Sequence, residues 1–210
     1  MSASNHTGPL QAGVDFPTLA ELRQLTNAAS IGRALIVTAI FTGMRVSELL
    51  GLRWSDVDLE AELPVIRVRQ RADRWGKIGA PKRRAGSRDI PLPPFVVNTL
   101  KQWRVPCPAS ELDLVFPTAS GRVESYFTLR RSAWLPLLRD LGLPQYGFHS
   151  LRHAAASMFI ATLGWTPKRV QTVLGHASIR MTYDRYGHLF EDRDSDKEAM
   201  KKLEAAVIAA

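Results

Sequence analysis

The sequence predicts an α+β fold that is mostly helical and contains one small antiparallel sheet of three strands. Two observations carry this prediction. Helix-capping and helix-ending residues recur along the chain around apolar segments of helical spacing. One segment near the middle alternates apolar and basic residues with a period of two, which is typical of strands. The composition, 45% hydrophobic and 23% charged, is that of a globular domain.

The first helices are predicted from their ends. Thr18 and Glu21 form a capping box, so a helix begins there, and the polar residues 1–17 are expected to be a linker or disordered start. Ile31–Thr42 is strongly apolar and stops at Gly43, which predicts a buried helix.

The central segment predicts the sheet. Arg67 and Arg69 alternate with Ile66 and Val68, so basic and apolar side chains should point to opposite faces. Glycines supply turns between three predicted strands, Pro64–Gln70, Gly76–Pro81 and Arg88–Leu92.

Further helices are predicted from apolar spacing, N-terminal prolines and terminal glycines. They are expected over about Val46–Leu50, Pro93–Trp103, Glu124–Leu141 and His149–Leu163, from Pro167 to Gly175, from Ser178 onward, and within 191–210.

The charge indicates the class of partner. The formal net charge is +8, which favours a polyanion, nucleic acid first and an anionic membrane surface second. The longest apolar stretch, Ala34–Phe41, is too short to span a membrane, and the start lacks the features of a secretory signal. A single cysteine, Cys107, excludes internal disulfides. We therefore expect a soluble protein in the cytoplasm.

The charge is concentrated in the predicted sheet. Between Arg67 and Arg88 only Asp73 opposes nine basic residues, which are Arg67, Arg69, Arg71, Arg74, Lys77, Lys82, Arg83, Arg84 and Arg88. A solvated sheet face is the alternative, but this density of charge favours contact with a phosphate backbone.

Four short motifs hold the remaining candidate residues. Arg45 follows Thr-Gly-Met and precedes Glu48 by three residues. His149 and Arg152 lie three apart, on one helical face. His176 follows Leu-Gly, and Tyr186 comes ten residues later.

In this order the motifs resemble the catalytic domain of tyrosine recombinases, the phage integrase family. The resemblance spans nearly the whole chain and implies that family's catalytic-domain fold over 18–190. It implies a DNA strand transferase that acts through a 3′-phosphotyrosyl intermediate, on a phage, a transposon or a bacterial chromosome. Two alternatives are a non-catalytic DNA-binding module of the same fold and a type IB topoisomerase.

The resemblance also assigns roles. It implies that Arg45 and Arg152 clamp the scissile phosphate, with Glu48 as the partner of Arg45. By the same comparison Lys82 protonates the leaving 5′-oxygen, His149 assists proton transfer, His176 bonds to the phosphate and Tyr186 is the nucleophile. Lys77, in the same sheet, is the alternative to Lys82. The other eight basic residues of the segment are expected to bind DNA.

Alternatives to these roles remain open at this point. Ile179, Tyr183, Tyr186 and Phe190 fall on one helical face, and that periodicity alone would make both tyrosines core residues. His149 and His153 have the spacing of metal ligands, but no acidic residue lies at a matching position, so neither a metal nor any other cofactor is expected. His153 is predicted to be a core or capping residue.

The resemblance is incomplete at the start of the chain. Family members usually carry an N-terminal helical domain that clamps the other side of the duplex, and we expect that domain to be missing from this chain. Recombination in the family needs four protomers, and 191–210 resembles a segment that docks onto a neighbour, although it could equally pack within its own chain.

Overall fold

The computed structural model describes residues 10–28, 32–81, 84–190, 200 and 203–204. The helices are α1 Leu19–Asn27, α2 Arg33–Thr42, α3 Val46–Leu50, α4 Pro94–Arg104, α5 Tyr126–Leu129, α6 Leu135–Asp140, α7 Ser150–Ala161, α8 Pro167–Leu174 and α9 Ile179–Tyr186. The strands are β1 Val57–Asp58, β2 Val65–Val68, β3 Arg71–Ala72, β4 Ile78–Gly79 and β5 Arg88–Pro91. The predicted fold class, mostly helical with a small antiparallel sheet, is confirmed.

Helix α2 forms the centre of the core. All of its residues except Arg33 and Phe41 are buried, and it packs against α1, α4 and α7. Because apolar residues surround it on every side, this helix has no polar face to present to water. It ends at Gly43, whose left-handed conformation (φ +60°) brings Arg45 to the surface at the start of α3.

The sheet has three strands, but not the three that the sequence predicts. Strand β2 pairs antiparallel with β5 and with β1 at Val57–Asp58. The predicted strand Gly76–Pro81 was wrong as a member of this sheet, because β4 pairs with β3 in a separate hairpin. The predicted facing of β2 is confirmed, since Ile66 and Val68 are buried while their neighbours are half-exposed.

The predicted helix Glu124–Leu141 is divided in the structure. A π-helical turn, Arg130–Trp134, separates α5 from α6. Pro136 has no N–H to donate to the carbonyl of Ser132, so regular helical bonding cannot continue here. The amide of Leu135 instead donates to the carbonyl of Arg130, five residues back.

The described residues that precede α1 contribute to the core. Leu10 and Phe16 are buried, so the expectation of a linker or disordered start over 1–17 does not hold for its described part. The capping box of Thr18 and Glu21 is confirmed at the start of α1. Within the described residues, no helix is both long and apolar enough to cross a membrane.

Candidate active site

Most of the candidate residues converge where α8 ends. Gly175 ends the helix in a left-handed conformation (φ +65°). The backbone amides of Gly175 and His176 donate to the carbonyls of Thr172 and Gln171. Because the last carbonyls of a helix have no intrahelical partner, those of Val173, Leu174 and Gly175 need donors from elsewhere.

Three arginines supply those donors. They bind the three consecutive carbonyls one by one: Arg88 to Val173, Arg152 to Leu174 at 2.6 Å and Arg45 to Gly175 at 3.1 Å. The partial negative charge at a helix C-terminus stabilises such cations. One helix end therefore fixes three guanidinium groups whose residues are separated along the chain by 43 positions, from Arg45 to Arg88, and by a further 64, from Arg88 to Arg152.

Glu48 joins two of these arginines. Its buried carboxylate lies 2.8 Å from Nη1 of Arg45 and 2.9 Å from Nη2 of Arg88, and it also accepts the backbone amide of Arg45. Burial alone would raise the pKa of Glu48, but the hydrogen bond and charge of Arg88, with the charge of Arg45, lower it to about 2. The carboxylate is therefore ionised at neutral pH, as the predicted partnership with Arg45 requires.

Arg88 is not placed to bind DNA, and this corrects the prediction. Its side chain is only 2% exposed and is held by both oxygens of Glu48. A guanidinium enclosed by its own carboxylate cannot also reach a phosphate backbone outside the protein. Arg88 instead supports Glu48 and the end of α8.

Arg152 is buried but retains free donors. Nη1 donates to the carbonyl of Gly43 at 2.7 Å, and Nη2 donates to Leu174. A guanidinium has five N–H groups, so three have no partner among the residues that the structure describes and could bind a ligand. Burial, followed by the charge of Arg45, lowers the pKa of Arg152 to about 9, and the group remains a cation at neutral pH. Arg45, at 35% side-chain exposure, is the more open of the two.

An open cleft of about 360 Å³ lies beside these arginines. Its lining includes Arg45, Glu48, Arg71, Gly175 and Met181. The Nε of Arg71 is buried and finds no hydrogen-bond partner among the residues that the structure describes. An unpaired buried donor is costly, so a cleft lined by such a group is suited to an anion.

Two of the candidate histidines lie close to these cations. His176 is buried, and its Nδ1 lies 2.9 Å from Oγ1 of Thr182. Burial, followed by the charges of Arg152 and Arg45, lowers the pKa of His176 to about 3. His149 is more exposed, but desolvation by the surrounding chain and the same two arginines lower its pKa to about 4. Both rings are therefore neutral at pH 7.

The two tyrosines of α9 differ in environment. Tyr186 is 2% exposed, whereas Tyr183 is 50% exposed and packs on Phe190. The hydroxyl of Tyr186 lies 2.6 Å from Nδ1 of His153. Burial raises the pKa of Tyr186 to about 12, against the opposing charges of Arg152 and Arg185. The shared periodicity of the two tyrosines thus does not give them a shared environment.

The predicted lysine lies outside the described residues. Lys82 and Arg83 are not described, and of Arg84 only the backbone is. Pro81, the neighbour of Lys82, lines the cleft. Lys77 is exposed, and its backbone amide donates to Asp73 in the turn between β3 and β4.

The remaining basic residues have different surroundings. Arg67 pairs with Asp58 at 2.9 Å, and Arg69 pairs with Asp89 at 2.6 Å, all of them at least a third exposed. Exposed pairs of this kind are weak, so these arginines can exchange their partners for phosphates at little cost. Arg74 is exposed and stacks over the Trp75 ring at 4.0 Å, in the same hairpin as Arg71.

Sequence reasoning missed two contacts at this site. Thr182, which holds His176, carries no motif. His153, which contacts Tyr186, has a visible signal in its four-residue spacing from His149, but from the sequence that spacing indicates only a pair of metal ligands. The partner of His153 lies 33 residues away, and no local pattern reports such a contact.

Comparison with solved structures shows that the fold is that of known integrases. The Tn1549 transposon integrase (residues 82–397), solved with circular intermediate DNA, superposes with a TM-score of 0.74 at 23% identity, covering 92% of this chain and 68% of that one.

Curated relatives are more similar in sequence. A tyrosine recombinase XerC-like protein of Caldanaerobacter subterraneus is 30% identical over 75% of this chain and 45% of its own. A putative prophage phiRv2 integrase of Mycobacterium tuberculosis is 31% identical over 87% of this chain and 49% of its own. The chain thus spans about half the length of these relatives. The model of the phage integrase family matches residues 17–193, and the chain belongs to that family.

Proposed function

We propose that this protein is a site-specific DNA recombinase that breaks and rejoins DNA through a covalent bond between Tyr186 and a 3′-phosphate. The observation that carries the proposal is the convergence of Arg45 and Arg152 on the end of α8, beside a cleft and close to a buried tyrosine. The family membership and the names of the relatives agree with it.

The arginines would act on the transferring phosphoryl group. Its transition state carries more negative charge on the phosphate oxygens than the ground state does. Guanidinium forks that are already fixed by Glu48, Gly43 and Leu174 stabilise that extra charge without first having to reorient. His176, held by Thr182, and His149 add hydrogen-bonding groups to the same region.

The reaction also needs proton transfers. Tyr186 must lose its proton as it attacks phosphorus, and the leaving 5′-oxygen must gain one. We assign the second role to Lys82, and the position of Pro81 in the cleft lining supports this assignment over Lys77. Because the phosphotyrosyl bond keeps the energy of the phosphodiester, rejoining needs no ATP.

DNA is the proposed partner, bound by the basic segment on and around β2, β3 and β4. Arg67, Arg69, Arg71, Arg74 and Lys77 are half-exposed or exposed there, and Arg83 and Arg84 continue the segment. The Tn1549 integrase was solved with DNA, which supports this partner. The relatives are bacterial, so we place the activity in the bacterial cytoplasm.

Recombination would join several copies of the protein on DNA. We infer four protomers around two duplexes, with 191–210 docked on a neighbour and a further N-terminal clamp on the opposite DNA face. The exposed side chains Ile179 and Tyr183 on α9, which do not line the cleft, support a protein contact on that side. Of the segment 191–210 the structure describes only residues 200 and 203–204, so the predicted docking helix lies outside the described residues. Sedimentation of the DNA complex, with and without 191–210, is the test.

A covalent trap tests the central claim. The protein is incubated with sheared DNA of the genome that encodes it, denatured, and digested, and the DNA-linked peptide is identified by mass spectrometry while the attached DNA is sequenced. We expect a 3′-linked adduct on Tyr186 at a defined site, absent from Tyr186→Phe and retained in Tyr183→Phe. Salt-sensitive DNA binding without an adduct would indicate a binding module. A supercoiled plasmid that carries two copies of the recovered site tests the other alternative, because relaxed circles without exchange between the sites would indicate a topoisomerase.

A further inference from the structure

The Tyr186 hydroxyl contacts one histidine, and it is not the one that the family motif selects. Its oxygen lies 2.6 Å from Nδ1 of His153, and the two ring centroids are 6.0 Å apart. His153 is one helical turn beyond His149 on α7, and the two imidazole rings meet edge to face with centroids 5.0 Å apart. A nucleophile within hydrogen-bond reach of a base is the arrangement that activates hydroxyl nucleophiles in enzymes.

The hydrogen bond has a preferred direction. A phenol O–H is a good donor, and His153 is the one partner that the described residues offer to this buried hydroxyl. Burial lowers the pKa of His153 to about 3, and the charges of His149, Arg185 and Arg152 act in the same sense, against Asp15. The ring is therefore neutral at pH 7, with a lone pair on one nitrogen. With the proton on Nε2, that lone pair on Nδ1 faces the hydroxyl.

We propose that His153 is a further catalytic residue, whose Nδ1 accepts the proton of Tyr186 during strand cleavage. The inference rests on the proposed function. As the tyrosine oxygen bonds to phosphorus and the bond to the 5′-oxygen breaks, the phenolic proton moves to Nδ1 and leaves an imidazolium. The proton for the leaving oxygen comes from the general acid. Rejoining reverses both transfers, so His153 returns to its neutral state.

The low pKa of His153 does not prevent this role. A general base takes the proton while the new bond forms, when the acidity of the nucleophile is already rising, rather than from the resting hydroxyl. The assignment moves proton acceptance from His149 to a residue one turn further along α7. His149, which is exposed at the surface, is then left to face the bound phosphate.

The test separates hydrogen bonding from proton acceptance. His153→Asn places an amide near the position of Nδ1, so it can hold the tyrosine hydroxyl but cannot take up its proton. His188→Asn, the same substitution at an exposed histidine two residues after Tyr186, is the matched control. Single-turnover adduct formation is measured between pH 6 and 10 on a nicked duplex that carries the site recovered by the covalent trap.

We expect His153→Asn to cleave about 10²- to 10⁴-fold more slowly at pH 7, which is the usual effect of losing a general base. The deficit should shrink as pH rises, since hydroxide then replaces the base. His188→Asn should match the wild type. A His153→Asn rate within threefold of wild type, or a deficit that stays constant across pH at equal DNA binding, would overturn the proposal.

A measurement on the unaltered protein guards against misfolded variants. In protein labelled with nitrogen-15 histidine, the shifts of His153 should show an unprotonated Nδ1 and a protonated Nε2; a proton on Nδ1 would exclude it as the acceptor. Failure of the proposed function looks different, because the wild-type protein would then form no adduct on Tyr186 at all.

Discussion

Glu48 determines the positions of two arginines at once. It accepts from Arg45 on one side and Arg88 on the other, and all but 4% of its own side chain is buried. A carboxylate in such a place is stable only while its cations remain, because burying an unpaired charge is costly. The two arginines are therefore not equivalent. Arg45 faces the cleft, whereas Arg88 fixes the group that orients Arg45.

At this scale we predict unequal effects from removing two arginine charges of the sheet. Arg88→Met leaves Glu48 buried with one partner and should lower the free energy of unfolding by about 3 kcal/mol. Arg69→Met breaks only the exposed pair with Asp89 and should cost less than about 1 kcal/mol. Urea denaturation of both variants is the measurement. Equal losses would mean that the Arg88–Glu48 pair contributes no more than a surface pair.

At the scale of elements, α8 acts as a support whose last turn is fixed from outside. Gly175 gives it the left-handed end, and the space for a side chain there is already taken. A Cβ atom on Gly175 would lie 2.9 Å from the carbonyl oxygen of Ala85 and 3.0 Å from Nη1 of Arg88. Gly142 also has a positive φ, +66°, but its Cβ would meet nothing within 4 Å.

These two glycines allow a matched prediction. Gly142→Ala should cost about 1 kcal/mol, the price of a left-handed conformation for a residue with a Cβ. Gly175→Ala adds a steric clash and should cost at least about 2 kcal/mol more. It should also reduce adduct formation well below that of Gly142→Ala, because Arg88 and the α8 carbonyls must shift. Urea denaturation measures the stability of each variant, and the covalent trap measures its adduct formation. If Gly175→Ala and Gly142→Ala had the same stability and formed the same amount of adduct, the prediction would be contradicted.

The elements also explain which parts of the fold were predictable. Thr18, Gly43 and Gly175 act within one or two turns of their own position, so their helix ends could be inferred from the sequence. Strand β1 has two residues, too few for any alternation to be recognised. The enclosure of Arg88 could not be predicted in this way. Its partner, Glu48, lies 40 residues away, and the two meet only because β5 packs beside α8, so the sequence shows Arg88 as one more member of the basic segment.

For the whole molecule, the proposed contact with DNA depends on the basic segment. Its positive charge equals the net charge of the chain, although Arg88 is enclosed and Arg67 and Arg69 are partly neutralised by acids. The effective attraction for DNA is therefore smaller than the charge count suggests. Among the described residues of the basic segment, the hairpin of β3 and β4 holds the largest part of the positive charge that forms no ion pair, on Arg71 and Arg74.

Salt titration tests this distribution. If Arg74 contacts a phosphate, Arg74→Gln should reduce the slope of log affinity against log salt by about 0.9. Arg139→Gln, which removes the same charge from an exposed site on α6, should leave the slope unchanged. Fluorescence anisotropy with a labelled duplex between 50 and 300 mM salt, on the order of physiological ionic strength, gives both slopes. If the two variants reduced the slope equally, DNA binding would depend on the net charge of the protein rather than on a contact made by the hairpin.

The three arginines at the end of α8, two of which pair with Glu48, also have a consequence for charge balance. With the neighbouring histidines neutral, these four side chains leave two uncompensated positive charges among the described residues. A phosphodiester carries one negative charge, whereas a five-coordinate phosphorus carries two. In the proposed reaction, the net charge of these four side chains would therefore match that of the short-lived species rather than that of the intact strand.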